Sequence, residues 1–236
     1  MSISHEEQRD KWNEEHRHPF ALLQMDDHNP SSSVGLYVDF LKGKGISQAI
    51  GVEMGCGKGR NSIALSKENF VSHIEAFDFS YVAISTAKER AKEEDVRKVH
   101  FAVMDATRHW MFPSDHFHFG LDCAASTDIE SPEGRQYAIE EMFRVLKPGA
   151  YALCWAMSER DEYHILMRAQ FPAEEQNAFY QPRTGKFEKV FTEEELDSLY
   201  AKFNVVEKRR ISKVTRFFDT PYATDMHWRI YQKPIK

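Results

Sequence analysis

The sequence predicts an α/β fold in which a mostly parallel sheet of seven strands carries helices on both faces. Two observations predict it. Between residues 48 and 157, short runs rich in β-branched and aromatic residues alternate with segments of helical periodicity, which is typical of parallel strands joined by helices. A glycine-rich turn follows the first run and acidic residues follow the next two. Such residues gather at the carboxyl edge of a parallel sheet.

Five strands and their connecting helices are expected in order along this core. The predicted strands are 49–53, 73–77, 99–104, 117–123 and 151–157. The helix after the second strand is indicated by Ile84, Ala87 and Ala91 at helical spacing. The helix before the fifth strand is expected to end at Pro148.

The rhythm changes after Ser158. Prolines and a glycine interrupt residues 158–190, which are interpreted as an insertion over one edge of the sheet. Thr192 and Glu195 have the spacing of a capping box and open a further helix. Residues 203–206 and 227–232 are predicted as the last two strands.

The composition indicates one globular domain. The chain has 236 residues, and 31 Lys and Arg against 37 Asp and Glu give a net charge of −6. A domain of this size buries roughly 70% of its surface and needs no covalent staples. Cys56, Cys123 and Cys154 are odd in number and include no CxxC pair. They argue against a disulfide framework and a zinc knuckle, and favour a reducing, cytoplasmic location.

Several partners are disfavoured by the same sequence. The longest apolar run, 150–157, is much shorter than the about 20 residues that span a membrane. The N-terminus has no signal-peptide pattern. The net negative charge argues against a general nucleic-acid-binding protein, which would carry a basic surface. The histidine pairs 16/18 and 116/118 lack a metal-binding frame, so no metal is expected.

The most informative segment runs from Glu53 through Gly55, Gly57 and Gly59. Glycines let a ligand approach the backbone closely, and a helix N-terminus beyond them offers unpaired N–H groups. The spacing is G-x-G-x-G, which differs from the G-x-G-x-x-G of dinucleotide sites. Asp78 ends the next strand, where an ionised carboxylate can accept hydrogen bonds from both hydroxyls of a ribose.

Together these residues resemble the class I, Rossmann-like S-adenosylmethionine (SAM)-dependent methyltransferases. The similar parts are the first motif at 53–59, the ribose-binding acid Asp78, the adenine-binding step Asp105-Ala106, the fourth motif at 117–125 and the turn at 144–149. The resemblance covers residues 48–157 and continues weakly to 232. It implies a seven-stranded Rossmann-like sheet whose last strand is antiparallel, with SAM as cofactor and S-adenosylhomocysteine (SAH) as product.

The resemblance also implies a set of cofactor-binding residues, with simpler roles open for several of them. The set is Glu53, Gly55, Cys56, Gly57, Gly59, Asp78, Phe79, Asp105, Ala106, Cys123 and Trp12. Glu53 could instead be a solvated strand-end acid, and Asp78 and Asp105 could be helix N-caps. Cys56 and Cys123 could be packing residues, and Trp12 an aromatic anchor for the N-terminal helix.

The order Asp10-Lys-Trp12, followed by Asp122 and later residues, is mildly similar to the thiopurine S-methyltransferase branch. In that branch an N-terminal helix folds over the cofactor. The first motif departs from the branch, so sulfur is not assigned as the methyl acceptor. The expected organisation is one domain, 1–236. Its parts are an N-terminal lid (1–45), a cofactor-binding core (46–157), an insertion (158–190) and a C-terminal helix with strands (191–236).

A small-molecule acceptor is the leading expectation, with an RNA or protein methyltransferase or a non-catalytic SAM- or SAH-binding module as alternatives. The acceptor pocket is expected from residues 10–30, 126–132, 158–190 and 212–226, which are rich in aromatics. A hydroxyl acceptor would need a base. The candidates His28, Asp128, His164 and His227 are not distinguished by sequence, so no catalytic residue is assigned. The N-terminal segment, anchored by Trp12 and Phe20, is expected to become ordered over the bound cofactor. The protein is expected to be a monomer or a homodimer.

Overall fold

The computed structural model describes residues 3–18, 28–217 and 220–235. The helices of these parts are α1 His5–Arg17, α2 Ser32–Gly43, α3 Arg60–Ser66, α4 Tyr81–Glu93, α5 Pro132–Val145, α6 Glu162–Gln170 and α7 Glu193–Leu199. The strands are β1 Ala49–Met54, β2 Val71–Asp78, β3 Val99–Val103, β4 Phe117–Cys123, β5 Leu146–Met157, β6 Ala178–Tyr180, β7 Phe187–Lys189, β8 Asn204–Phe217 and β9 Thr220–Gln232. Phe20 and Phe218 lie outside the described residues.

Seven of the strands form one sheet in the order β3-β2-β1-β4-β5-β9-β8. Strands β1 to β5 pair in parallel, whereas β9 is antiparallel to both β5 and β8. The strand order reverses between β1 and β4, and ligands of open parallel sheets bind at such a reversal. The predicted seven-stranded sheet with an antiparallel last strand is confirmed.

Helices cover both faces of this sheet, as predicted. One apolar cluster joins α2, α3 and α4 to the sheet through residues such as Leu41, Ile63 and Ile84. The other joins α5 and α7 to the opposite face through residues such as Met142 and Leu196. Burial of these apolar faces, at about 25 cal/mol per Å², is the main stabilising contribution to such a layered fold.

Helix α2 was not predicted, and it lies in the core. Val34, Tyr37, Val38 and Leu41 are all buried in the first apolar cluster. Their spacing of three, four and seven residues is a helical stripe that the sequence carries openly. The lid assigned to residues 1–45 is therefore corrected: Ser32–Gly43 belongs to the packed core, and among the described residues of that segment it is α1 that lies over the carboxyl edge of the sheet.

The two C-terminal strands are much longer than predicted. Strand β9 pairs with β5 only as far as Met226, and its remaining residues pair with β8 alone up to Thr220. The outer part of β8 and β9 is thus a two-stranded ribbon that projects past the sheet. Its mixed polar and charged sequence has few buried apolar residues, which is why the periodicity did not predict a strand there.

The insertion contains α6 and a small two-stranded sheet of β6 and β7. Strand β7 packs against the 3₁₀ turn Ser126–Asp128 that follows β4. The predicted capping box of Thr192 and Glu195 is present at the start of α7. Within the described residues, no helix is long and apolar enough to cross a membrane.

Candidate active site

A cavity of about 400 Å³ lies at the carboxyl ends of the parallel strands. Its floor is built from residues that follow β1, β2, β3, β4 and β5, including Gly57, Phe79 and Ala106. Its other walls come from α1, the insertion and the β8–β9 ribbon. The volume is in the range of ordinary small-molecule and cofactor sites, about 300–1,000 Å³.

The glycine-rich turn forms one side of this cavity. Gly55, Gly57 and Gly59 have φ angles of +62°, +53° and +80°, which favour glycine. A Cβ on Gly57 would meet only His16 Cε1, at 3.6 Å, so the turn opens into the cavity there. A Cβ on Gly55 would lie 2.4 Å from the Cβ of Ala125, so this residue permits close packing of two loops.

Two predicted cofactor contacts lie behind the turn instead of in the cavity. Glu53 is 1% exposed, and its carboxylate accepts hydrogen bonds from Asn61 Nδ2 (3.1 Å) and Ser62 Oγ. Burial raises the pKa of Glu53 to about 7. Gly59 is the N-cap of α3, and a Cβ there would lie 2.7 Å from the Phe101 ring. Neither residue lines the cavity. They fix α3 beneath the turn, and their direct contact with the cofactor stays a prediction.

Asp78 lines the cavity and also braces the glycine turn. One carboxylate oxygen accepts from the backbone N–H of Gly57 at 2.9 Å and the other from that of Ser80 at 2.8 Å. Ser80, whose hydroxyl accepts from the N–H of Ala83, is the N-cap of α4, so the alternative role of Asp78 as a cap is excluded. Burial raises the pKa of Asp78 to about 6.

Asp105 is held by a charged network with α1. Its carboxylate accepts from the backbone N–H of Thr107 (2.8 Å) and from His5 Nε2 (2.9 Å), and His5 Nδ1 lies 2.7 Å from Glu130. Burial raises the pKa of Asp105, but the hydrogen bonds from His5 and Thr107 outweigh it and lower that pKa to about 2. Hydrogen bonds to Asp105 and Glu130 raise the pKa of His5 to about 10. No helix begins at Asp105, so it is not an N-cap.

The remaining predicted residues also reach the cavity. Phe79, Ala106, Cys123, Cys56 and Trp12 line it. Burial raises the pKa of both thiols well above the ordinary value, which keeps them protonated and unsuited to act as nucleophiles.

Gln8, which no sequence signal singles out, fastens α1 across the cavity. It is fully buried, and its side-chain amide donates to the backbone oxygens of Asp128 (2.8 Å) and Phe187 (2.9 Å). Its side-chain oxygen accepts from the N–H of Phe187 at 2.9 Å. The capping box of Ser4 and Glu7 at the start of α1 was a sequence signal for this helix, but nothing in the sequence marked Gln8 as its anchor.

The four candidate bases differ in their position relative to the cavity. Asp128 and His164 line the cavity. The imidazole of His227 does not line it, and its Nε2 lies 2.9 Å from the backbone oxygen of Phe191. His28 is exposed beside Glu94.

The expected aromatic wall is present in part. The rings of Tyr163 and Phe217 stack at 4.2 Å between centroids, and both residues line the cavity. Phe179 and Tyr180 instead belong to the small sheet of the insertion and do not line it. Among the described residues, no group of three or more His, Cys, Asp or Glu side chains is placed to hold a metal ion.

Comparison with known proteins gives one family and many similar structures. Residues 52–149 match the model of a methyltransferase domain. A SAM-dependent methyltransferase from Methanosarcina mazei is similar at 27% identity and a TM-score of 0.70, over 80% of this chain and 94% of that one. The N-methyltransferase NodS from Bradyrhizobium japonicum, in complex with SAH, is 16% identical with a TM-score of 0.68, over 97% and 99%.

TehB from Haemophilus influenzae is 18% identical with a TM-score of 0.60, over 84% of this chain and 62% of that one. The likenesses to NodS and TehB show the fold alone. No curated protein matches the sequence.

Proposed function

Because the chain belongs to the class I SAM-dependent methyltransferases, we propose that its methyl acceptor is a small molecule. The observation that carries this proposal is that three segments outside the core of the sheet line the cavity on the acceptor side. Helix α1, the insertion and the β8–β9 ribbon all contribute to its lining, through residues such as Trp12, Gln181 and Thr224. A site that three segments line on this side suits a small molecule, which can enter the cavity completely, better than a macromolecule.

The cofactor end has groups that fit SAM. Gly57 leaves room where a Cβ would project into the cavity. Asp78 presents a carboxylate to which ribose hydroxyls can donate, and Asp105 with Ala106 lies where an adenine would bind. We assign these residues, with Phe79 and Trp12, to cofactor binding.

SAM supplies a methyl group that its sulfonium already activates. The protein's task is to hold the acceptor in line, at about 3–3.5 Å, and to exclude water; such alignment supplies roughly 7–11 kcal/mol. Helix α1 excludes water because Gln8 and His5 fasten it over the strand ends.

The charge distribution supports a small acceptor over RNA. Three of the five cations of β8 are paired with carboxylates: Lys208 with Asp197, Arg209 with Glu207, and Arg210 with Asp225. Phosphate binding would require these pairs to break.

Transfer of labelled methyl from SAM tests the proposal. We expect label in a low-molecular-weight metabolite extract, and none in tRNA or in a protein extract. Label in either macromolecule would overturn the small-molecule assignment. Binding of labelled SAM without transfer to any of the three would identify a non-catalytic binding module.

A further inference from the structure

The acceptor end of the cavity carries two neighbouring carboxylates, which bear on the acceptor of the proposed function. Asp128 lies in the turn after β4 and Glu188 in β7, and both line the cavity. The two segments pack together, and Gln8 bonds to the backbone of both. Two like charges in an enclosed site disfavour each other's ionisation unless a cation lies between them.

Asp128 has no hydrogen bond to its carboxylate from any residue that the structure describes; only its backbone is bonded. Glu188 is 4% exposed and accepts from Gln181 Nε2 at 3.2 Å. Asp128 is thus the member of the pair whose oxygens are left for a ligand.

The buried cation whose charge acts on Asp128, Lys186, is committed elsewhere. Lys186 is fully buried, and its Nζ lies 3.6 Å from the centre of the Trp12 ring, 3.8 Å from Glu15 and 3.9 Å from Glu188. The ammonium of Lys186 therefore already lies near two carboxylates, those of Glu15 and Glu188, and Asp128 would be a third. The exposed Lys213 and Arg216 lie on the ribbon at the mouth of the cavity.

Aromatic side chains line the same cavity, and one of them holds a second unsatisfied group. Trp12 is 7% exposed and lines the cavity, and within the described parts of the chain its indole N–H makes no hydrogen bond. Trp155 and Tyr163 line the same cavity. Aromatic faces attract cations, and the orphaned N–H indicates a place for an acceptor atom of a bound molecule.

We infer that the methyl acceptor is a primary or secondary amine, which binds as its ammonium form beside Asp128 and gives its proton to that carboxylate. A thiolate or an alkoxide would bring a third negative charge to Asp128 and Glu188. An ammonium supplies the missing cation and donates to the free oxygens of Asp128.

The step balances without any further reagent. Asp128 takes one proton from the ammonium, and the freed lone pair of nitrogen forms the bond to the methyl carbon. The carbon–sulfur bond of the sulfonium breaks, and its electron pair stays on sulfur. The proton on Asp128 then passes to solvent.

The charges around Asp128 suit it to this proton transfer. Burial and the charge of Glu188 raise the pKa of Asp128 well above its ordinary value, with smaller contributions from Asp122 and Asp78, while Lys186 opposes them. A more basic carboxylate is a better acceptor for the proton of an ammonium. Glu188 is therefore a positioning residue that tunes Asp128.

Chemical capping of the acceptor pool tests the inference on the full-length protein. A low-molecular-weight metabolite extract is treated with acetic anhydride and then with hydroxylamine, so that amines stay acetylated while esters and thioesters are released. We expect label from SAM in the untreated extract and at least a tenfold loss after treatment. Undiminished label in the capped extract would overturn the amine assignment and leave the small-molecule function intact. No label in the untreated extract would overturn the proposed function itself.

Two variants test the residues. Asp128→Asn should lower methyl transfer by about 10²-fold or more and leave SAH affinity, measured by calorimetry, within about twofold. Glu188→Gln should move the rising limb of the rate against pH to lower pH, because a negative charge beside Asp128 is removed. Glu89→Gln, an exposed carboxylate on α4, is the matched control for both. Transfer by Asp128→Asn equal to that control, or an unmoved pH profile in Glu188→Gln, would overturn these roles.

Discussion

The two ends of the cavity are built by different means. At the cofactor end, Asp78 is satisfied by backbone N–H groups within 21 positions of it in the chain, one of which belongs to the glycine turn. At the acceptor end, Lys186 meets Glu15 across more than 170 positions, and Gln8 reaches Phe187 over 179. Neighbouring segments thus set the ribose acid and the turn beside it, whereas the acceptor end exists only after remote segments have packed.

The largest expected effect comes from the buried cation of the acceptor end. Lys186→Met should lower the free energy of unfolding by about 3–5 kcal/mol, because Glu15 and Glu188 lose the charge that compensates them. Urea denaturation at pH 7 measures it, with Lys88→Met on the exposed face of α4 as the control. If both variants unfold at the same urea concentration, the acceptor end does not depend on this charge. Adding Glu188→Gln to Lys186→Met should recover part of the loss.

The cofactor end should respond in binding more than in stability. Asp78→Ala removes an anionic acceptor of the kind whose hydrogen bonds contribute about 1.5–3 kcal/mol each, so SAH affinity should fall at least about tenfold while the sheet stays folded. Calorimetry measures the affinity. Glu75→Gln, on the same strand but paired with His73 and His100 away from the cavity, is the control. Unchanged SAH binding by Asp78→Ala would show that the ribose does not bind there.

Helix α1 joins the two ends, and its removal should affect both. Deletion of residues 1–20 should leave a folded sheet that binds SAH about tenfold more weakly, since several hydrogen bonds worth about 1 kcal/mol each are lost, and that transfers methyl poorly. Hydrogen exchange of residues 5–17 with and without SAH tests whether α1 closes on the cofactor. Strong and equal protection in both states would contradict a lid, and insoluble truncated protein would indicate a constant part of the core.

The smallest expected effect is a pH dependence of the link between α1 and the cofactor end. The pKa of His5 is raised from 6.5 to about 10. The stabilisation that protonated His5 gives to the link between α1 and Asp105 is therefore complete below about pH 6.5 and is lost as the pH rises through about 10. Because His5 and Asp105 are partly exposed, we expect SAH affinity to fall only about two- to fivefold between pH 7 and pH 10. His5→Gln should bind more weakly at pH 7 and lack this change. An identical pH dependence in both proteins would assign the effect to another group.

The elements of the core could be predicted because their signals are local. The strands up to β5, the glycine turn and the acids at the strand ends each occupy a few consecutive residues, and the capping box of Thr192 and Glu195 marked α7 correctly. Helix α2 has an equally local apolar stripe, from Val34 to Leu41, which is a sufficient signal for a buried helix. The outer part of β8 and β9 gave no such signal, since strand pairing and contacts with α6, such as the stacking of Phe217 on Tyr163, hold these strands. Too few of its residues are buried and apolar to impose a period on the sequence.

The sequence by itself determined the class of the sheet, its antiparallel last strand through family resemblance, and the position of the glycine turn beside Asp78. Only the tertiary structure decided which acid faces the cavity and which lies behind it. Glu53 and Asp78 both follow the pattern of a parallel strand that ends in a carboxylate. Asn61 and Ser62 bind the first from the following helix, whereas backbone amides hold the second at the cavity wall. The same holds for Asp128, because the burial and the charges that set a carboxylate's chemistry come from residues distant in the chain.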